Sequence, residues 1–391
     1  MKIKSIKRQL AGTIHYDLQI NKNHNFFANG ILTHNCNLPA RRVAILGTDR
    51  GLNEVDPLDI IQECGRAGRP KYDTEGDATL IVDEAKLPRW RDLLTRPPIV
   101  KSTIVPKIGF HLIGEIAEKR VTTINEISSW SNRTLAVKQD FFSSTTAESM
   151  FEEFSFYGLI KPDITQPLDF DNTDKDIQYV CTYLGKLAAY HYFDPLDVVS
   201  WKNNLKIIMD RQLLQDTAAI AWAIANIRSM LGGYVPKDLK PYSNSFMACT
   251  SPKQLHSISE GALTLGTVLW MRMNGDEEVT RKFYSLVIPY ITDANRIISC
   301  ITKIYIRILK GNPGYYFDKL LYRIKYGVSW EEADLCRLNG IGPVYARELV
   351  LNGIKSVEQF KDKSNRELIS TLLPSLVFKK ALSTLQVEDS W

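Results

Sequence analysis

The spacing of apolar and polar positions changes character several times along the chain. In residues 1–35, His15-Tyr16-Asp17-Leu18-Gln19-Ile20 alternates with the two-residue period of a strand. Phe26-Phe27-Ala28 and Ile31-Leu32 flank Asn29-Gly30, a favoured two-residue hairpin turn. So short a β-rich piece cannot close a core alone and calls for a partner. Residues 36–95 read as α/β. Apolar runs of buried-strand type, Arg41 to Leu46 and Ala78 to Val82, bracket a helix that opens at Pro57. Two strands and one helix are only a fragment of a doubly wound sheet. Residues 96–175 carry short helical periods ending in Phe156-Tyr157-Gly158-Leu159-Ile160-Lys161, which predicts three helices and a small hairpin, as in a winged helix. Residues 176–330 hold longer helical patterns, with loops expected at Gly232-Gly233, Tyr242 to Ser251 and Gly311 to Gly314. Residues 331–391 read as short helices around Gly340-Ile341-Gly342. The expected fold class is multidomain: a β-rich fragment, a partial α/β domain, a winged helix, an all-α domain and a helix-hairpin-helix.

Composition adds limits. With 44% apolar and 24% charged residues, the 391-residue chain has an ordinary globular balance. Thr217 to Ile227 is the longest apolar run; it is too short to span a bilayer and predicts a buried helix. The basic start MKIKSIKRQL lacks a following apolar stretch, so neither export nor a membrane partner is expected, and the cytoplasm is the expected location. Six scattered cysteines have neither metal-ligand nor disulfide spacing, so no metal site is expected on this chain. Lys2, Lys4, Lys7, Arg8 and Lys22 against Asp17 give residues 1–35 a charge of +4, out of +5 for the whole chain. The remainder is nearly neutral, so any case for nucleic-acid binding must come from motifs.

Two such motifs are juxtaposed. The stretch His24-Asn25-Phe26-Phe27-Ala28-Asn29-Gly30-Ile31-Leu32-Thr33-His34-Asn35-Cys36, with Tyr16-Asp17-Leu18 upstream, resembles the C-terminal splicing blocks of inteins. The chemistry explains the residue types. The Cys36 thiolate attacks a thioester and takes over its acyl group. The Asn35 side-chain amide then attacks its own carbonyl, forming a succinimide and breaking the Asn35–Cys36 bond. His34 is placed to assist that cleavage. The resemblance implies that His24 assists the same step and Asp17 steers Cys36, with no cofactor. The N-terminal intein blocks are absent, so the resemblance implies a naturally split intein whose partner is an N-terminal half on a separate polypeptide. The basic residues 2–8 suit electrostatic steering onto an acidic partner. The split arrangement suggests a phage or other mobile origin.

Beyond Cys36, Asn37-Leu38-Pro39-Ala40-Arg41-Arg42-Val43 resembles motif V of Ski-like superfamily 2 helicases, of the DEAD/DEAH-box type. Gln62-Glu63-Cys64-Gly65-Arg66-Ala67-Gly68-Arg69-Pro70 matches their motif VI, and Lys71 to Ala78 continues in the same manner. Phosphoryl transfer needs fixed cations where charge accumulates on the γ-phosphate. The resemblance assigns Arg66 and Arg69 as arginine fingers toward ATP and Gln62 as a nucleotide contact. The sequence has no G-x-x-x-x-G-K-[ST] phosphate loop, so the phosphate cradle and the Mg²⁺ ligands are expected on the N-terminal half. This chain alone is not expected to hydrolyse ATP.

The order of the remaining modules resembles HelQ-like ratchet DNA helicases of repair and their spliceosomal RNA relatives, and so implies 3′ to 5′ translocation. On that resemblance the chain comprises an intein fragment (1–35), part of the second RecA-like domain (36–95), a winged helix (96–175), a ratchet domain (176–330) and a helix-hairpin-helix (331–391). Leu286 to Leu309 would be the long helix lying across the single strand, with Tyr290 and Arg296 as base contacts. Gly340, Gly342 and Arg347 would hold a phosphate, because glycines admit the backbone closely and a helix N-terminus presents free N–H groups. Two alternatives stay open: an RNA remodeller of the same architecture, and an unspliced nucleic-acid-binding module without ATPase activity.

Overall fold

The computed structural model describes residues 25–28, 31–34, 41–50, 53–68, 75–96, 101–141, 143–163, 177–255 and 258–388. They fall into two compact units, Met1–Lys101 and Ser102–Trp391.

In the first unit, β1 (Asn25–Ala28) and β2 (Ile31–His34) pair antiparallel from Asn25↔His34 to Ala28↔Ile31, leaving two residues between them. β3 (Arg42–Leu46) runs parallel to β6 (Asp77–Ile81), in register from Arg42↔Asp77 to Leu46↔Ile81. Between them lie the two-residue strands β4 (Asp49–Arg50) and β5 (Asn53–Glu54) and the helix α1 (Pro57–Cys64). The Asp56 carboxylate accepts from Leu58 N at 2.8 Å and so caps α1, while Pro57 stands where no N–H is needed. The expected strands are thus found: β3 starts one residue later than expected, and β6 lies one residue earlier at both ends. A parallel pair is normally covered on both faces. Here Leu46 is 80% and Ile81 51% exposed, which fits a fragment of a larger sheet. α2 (Leu87–Thr95) buries Trp90.

The second unit opens with α3 (Ile108–Ala117), α4 (Ile124–Ser131), α5 (Leu135–Lys138) and α6 (Ser144–Phe156). A capping box between Thr123 and Glu126 starts α4. β7 (Ile160–Pro162) then pairs antiparallel with β8 (Tyr179–Cys181). Four helices and a hairpin thus stand where three helices and a hairpin were expected, and the second strand lies beyond residue 175. β8 runs directly into α7 (Tyr183–His191), which is followed by α8 (Pro195–Asp210) and α9 (Thr217–Ala225). Every residue of α9 from Ala218 to Ala225 is buried, as its apolar run predicted.

α10 (Lys240–Thr250) occupies most of a stretch expected to be a loop. Its serines and asparagine give it the composition of a loop. Pro241 sits in the first turn, Phe246 is fully buried, and Thr250 Oγ1 donates back to Phe246 O at 3.1 Å. α11 (Glu260–Met273), α12 (Glu277–Lys282) and α13 (Tyr284–Lys303) follow. α13 continues through a π-helical turn over Ile304–Ile308, close to the long helix expected. α14 (Tyr316–Tyr326) is joined to α11 by a reciprocal clamp of two buried arginines. Arg272 donates to Ile324 O (2.6 Å) and Lys325 O (2.7 Å), while Arg323 donates to Met273 O (2.6 and 3.0 Å). Each guanidinium thereby satisfies carbonyls at the C-terminal end of the other helix.

The chain ends in α15 (Trp330–Leu335), α16 (Pro343–Leu351), α17 (Val357–Lys361), α18 (Arg366–Leu372) and α19 (Ser375–Glu388). These close a separate small core that includes Leu338, Ile341, Leu349 and Phe360. Asp334, 3% exposed, ties this bundle to α14. It accepts from Lys319 Nζ (2.8 Å), Arg337 Nη1 (3.2 Å) and Val357 N (3.0 Å). Burial alone would raise its pKa; the Lys319, Val357 and Arg337 contacts outweigh that and hold it below the usual carboxylate range. Among the described residues, no helix is long and apolar enough to cross a membrane.

Candidate nucleotide and nucleic-acid sites

Of the residues assigned to splicing, Asp17, His24, Asn35 and Cys36 lie outside the described residues. His34 ends β2, opposite Asn25.

The motif VI segment is better defined. Gln62 and Arg66 are both exposed, at the end of α1 and just past it. Gly65 N donates to Ile61 O at 2.9 Å, and Arg66 N to Glu63 O at 3.1 Å, so the helix tightens as it closes. Gly68 has a positive φ of 70°, and a Cβ there would lie 2.8 Å from the Gly76 backbone. The converse holds as well: a Cβ on Gly76 would collide with Ala67 and Gly68. Two glycines eight positions apart therefore allow the backbone at residue 68 to touch the backbone at residue 76. Arg69, in the segment 69–74 between them, lies outside the described residues. The motif pattern marks Gly68; only the structure shows why Gly76 must accompany it.

On α13 the two candidate contacts are both engaged with other parts of the protein. Tyr290 lines a cavity of about 580 Å³, together with Phe193, Asp197, Trp201 and Tyr234. Burial pushes its phenol pKa well up, with a smaller contribution from the Asp197 charge. Asp197 is itself buried and accepts from Ser229 N (2.8 Å) and from the Ser229 hydroxyl. Burial raises its pKa more than these bonds lower it. Arg296 donates to His191 O (3.1 and 2.8 Å) and Tyr192 O (2.8 Å), and pairs with Asp293 at 3.0 Å. Its guanidinium also lies 4.8 Å from the centre of the Phe193 ring. Arg296 is thus engaged with the C-terminus of α7 rather than free to stack. Seven residues on, Lys303 Nζ lies 3.1 Å from His191 Nε2. Burial, then Lys303 and Arg296, depress the His191 pKa.

In the hairpin of the last bundle, Gly340 has φ 89°, and Gly342 precedes Pro343 at the start of α16. A contact distant in sequence completes the turn: α19 packs on it. The Lys380 stem lies 3.6 Å from the position of a Cβ on Gly340, and Asn339 N donates to Thr384 Oγ1 at 3.2 Å. Arg347, on α16, pairs with Glu277 (2.6 Å) and Glu332 (3.4 Å). The structure therefore brings Gly340 and Gly342 together and commits Arg347 to carboxylates.

No family model matches the chain. It is 24% identical over 396 residues to an ATP-dependent DNA helicase Hel308 of Thermococcus kodakarensis, covering 94% of this chain and 34% of that protein. It is 25% identical over 388 residues to an ATP-dependent DNA helicase Hel308 of Methanococcus vannielii, covering 87% and 51%. The DExH-box ATP-dependent RNA helicase DExH13 of Arabidopsis thaliana is 29% identical over 192 residues, covering 44% and 9%. The chain therefore has Hel308-like superfamily 2 helicase homology over most of its length, at low identity, and spans about half or less of the length of these relatives.

Proposed function

We propose that the chain is the C-terminal portion of an ATP-driven superfamily 2 DNA helicase, made whole by protein splicing at the Asn35–Cys36 bond. The observation that carries the helicase reading is homology running through 87–94% of the chain to proteins named as DNA helicases. The RNA helicase match covers only 44%. That difference favours DNA as the strand and an RNA remodeller as the second reading.

In the joined protein, Arg66 and Arg69 deliver fixed positive charge to the γ-phosphate of ATP, and Gln62 contacts the nucleotide. The Gly68–Gly76 contact and the exposure of Gln62 and Arg66 suit a loop that must reach a nucleotide held by another domain. Residues of the N-terminal half would hold Mg²⁺, which would neutralise charge at the phosphates. The uncovered Leu46 and Ile81 of the parallel pair are where the rest of the sheet would pack. Residues of the winged helix, of α13 and of the last hairpin line the strand path, with movement 3′ to 5′. At the hairpin, Gly340 and Gly342 admit a phosphate to the N-terminus of α16.

Splicing precedes this activity. Residues 1–35 pair with the N-terminal intein half. Cys36 Sγ takes the acyl chain from the upstream thioester and releases that thiol. Asn35 cyclises and frees the Cys36 amine, and an S-to-N shift leaves an ordinary peptide bond. A genetic fusion of the N-terminal helicase half directly to residues 36–391 tests the helicase reading without splicing. It is expected to hydrolyse ATP when single-stranded DNA is added and to unwind 3′-tailed duplexes. A folded fusion that binds DNA without strand-stimulated ATPase would leave only a binding module. Stimulation by RNA in place of DNA would establish the second reading.

A further inference from the structure

We infer that Tyr192 is a base-stacking platform for single-stranded nucleic acid, held in place by Arg296 and flanked by the cation of Lys303; this rests on the strand-binding reading above. Tyr192 ends α7 in the left-handed conformation, φ 55° and ψ 48°. Helices that end this way usually place glycine there, because other side chains adopt it at a cost. A tyrosine that tolerates this cost would be expected to gain it back by packing. Instead Tyr192 is 68% exposed, and its only ring neighbour among the described residues is Phe110, at 5.7 Å and tilted by 39°. Strain at an exposed aromatic points to a function for the ring rather than to the fold.

The surroundings supply what a strand needs. Arg296 donates to the carbonyls of both His191 and Tyr192, so the backbone carrying the ring is fixed from α13. Lys303 stands beside His191, two turns along α13 from Arg296, and presents an ammonium for a phosphate. The nearby carboxylates are occupied: Asp293 pairs with Arg296, and Asp194 caps α8 through Leu196 N. An exposed aromatic on an anchored backbone, with a lysine held against the preceding residue, offers the stacking face and the positive charge by which proteins hold single strands without reading sequence. Arg296 on this view is a positioning residue, and the stacking face lies one helix away from where the sequence suggested.

The test uses the full chain and two labelled 12-nucleotide DNA strands, one of thymidines and one wholly abasic, read by fluorescence anisotropy. The wild type should bind the thymidine strand more tightly. Tyr192→Ala should lose about 5- to 150-fold of that preference, the span of one base–aromatic stack, while affinity for the abasic strand stays. Tyr192→Phe should keep the preference. Tyr192→Gly, which suits the left-handed backbone, should lose the preference without losing thermal stability. If Tyr192→Ala and Tyr192→Gly keep the preference, or if the wild type binds both strands equally, the platform is refuted and strand binding stands. If the wild type binds neither strand, the strand-binding reading fails and the platform with it.

Discussion

Replacing Arg296 by alanine removes three N–H donors from the end of α7, at 2.8–3.1 Å from two carbonyls. The bonds to His191 O are part-buried, and a hydrogen bond to a charged donor contributes about 1.5–3 kcal/mol net. Tyr192 O is exposed, so water replaces its bond at little cost. The Phe193 face adds about 0.5–1 kcal/mol. The Asp293 pair, with side chains 42% and 38% exposed, adds well under about 1 kcal/mol once screened by solvent. The expected loss is therefore about 2–4 kcal/mol, or roughly 3–7 °C in melting temperature for a unit of this size. Arg296→Lys should recover only part of it, because a single ammonium cannot span both carbonyls. Urea unfolding of the full chain followed by circular dichroism measures this directly. A direct strand contact predicts a different result: unchanged stability, with a salt dependence of strand affinity shallower by about 0.7 in log–log slope. That outcome would refute Arg296 as a clamp.

Other perturbations probe separate parts. Asn35→Ala should block release of residues 1–35 while association with the N-terminal half persists, and Cys36→Ala should stop ligation; intact masses decide both. In the joined protein, Arg66→Ala or Arg69→Ala should cut strand-stimulated ATPase by at least about 1000-fold, the scale of an arginine finger, with strand binding kept. Gly76→Ala should do nearly as much without touching a charge, because its Cβ would collide with Ala67 and Gly68; normal turnover in that variant would show the contact to be dispensable. His191 has a depressed pKa, so the folded state takes up its proton less readily than the unfolded chain. Its contribution to stability is present above its ordinary pKa of 6.5 and is lost as pH falls through the folded value. His191→Gln should flatten that acid limb of the stability profile.

The outline of the fold was legible where one physical signal dominated. The all-apolar run of α9 has one outcome in water, and it is buried. Pro57 announced α1, and a parallel pair follows from two apolar runs separated by a helix. The α10 stretch was not legible, since serines and an asparagine conceal a helix whose one large, fully buried side chain is Phe246. Contacts distant in sequence were equally hidden. Nothing in the chain order says that Lys380 lies on Gly340, or that Glu277 holds Arg347. Tyr290 and Arg296 share a long helix and have the residue types that a strand contact needs. Side-chain direction is set by packing, which turned Tyr290 to a cavity and Arg296 to the end of α7. The exposed Tyr192 carried no sequence signal at all, because its meaning lies in a backbone angle.

The most direct test of the account mixes this chain with its N-terminal half and follows intact mass and DNA-stimulated ATPase together. The account predicts loss of residues 1–35, a new ligated species, and ATPase that rises in step with it. A competent partner that leaves the mass unchanged, with ATPase absent from both the mixture and the genetic fusion, would contradict it.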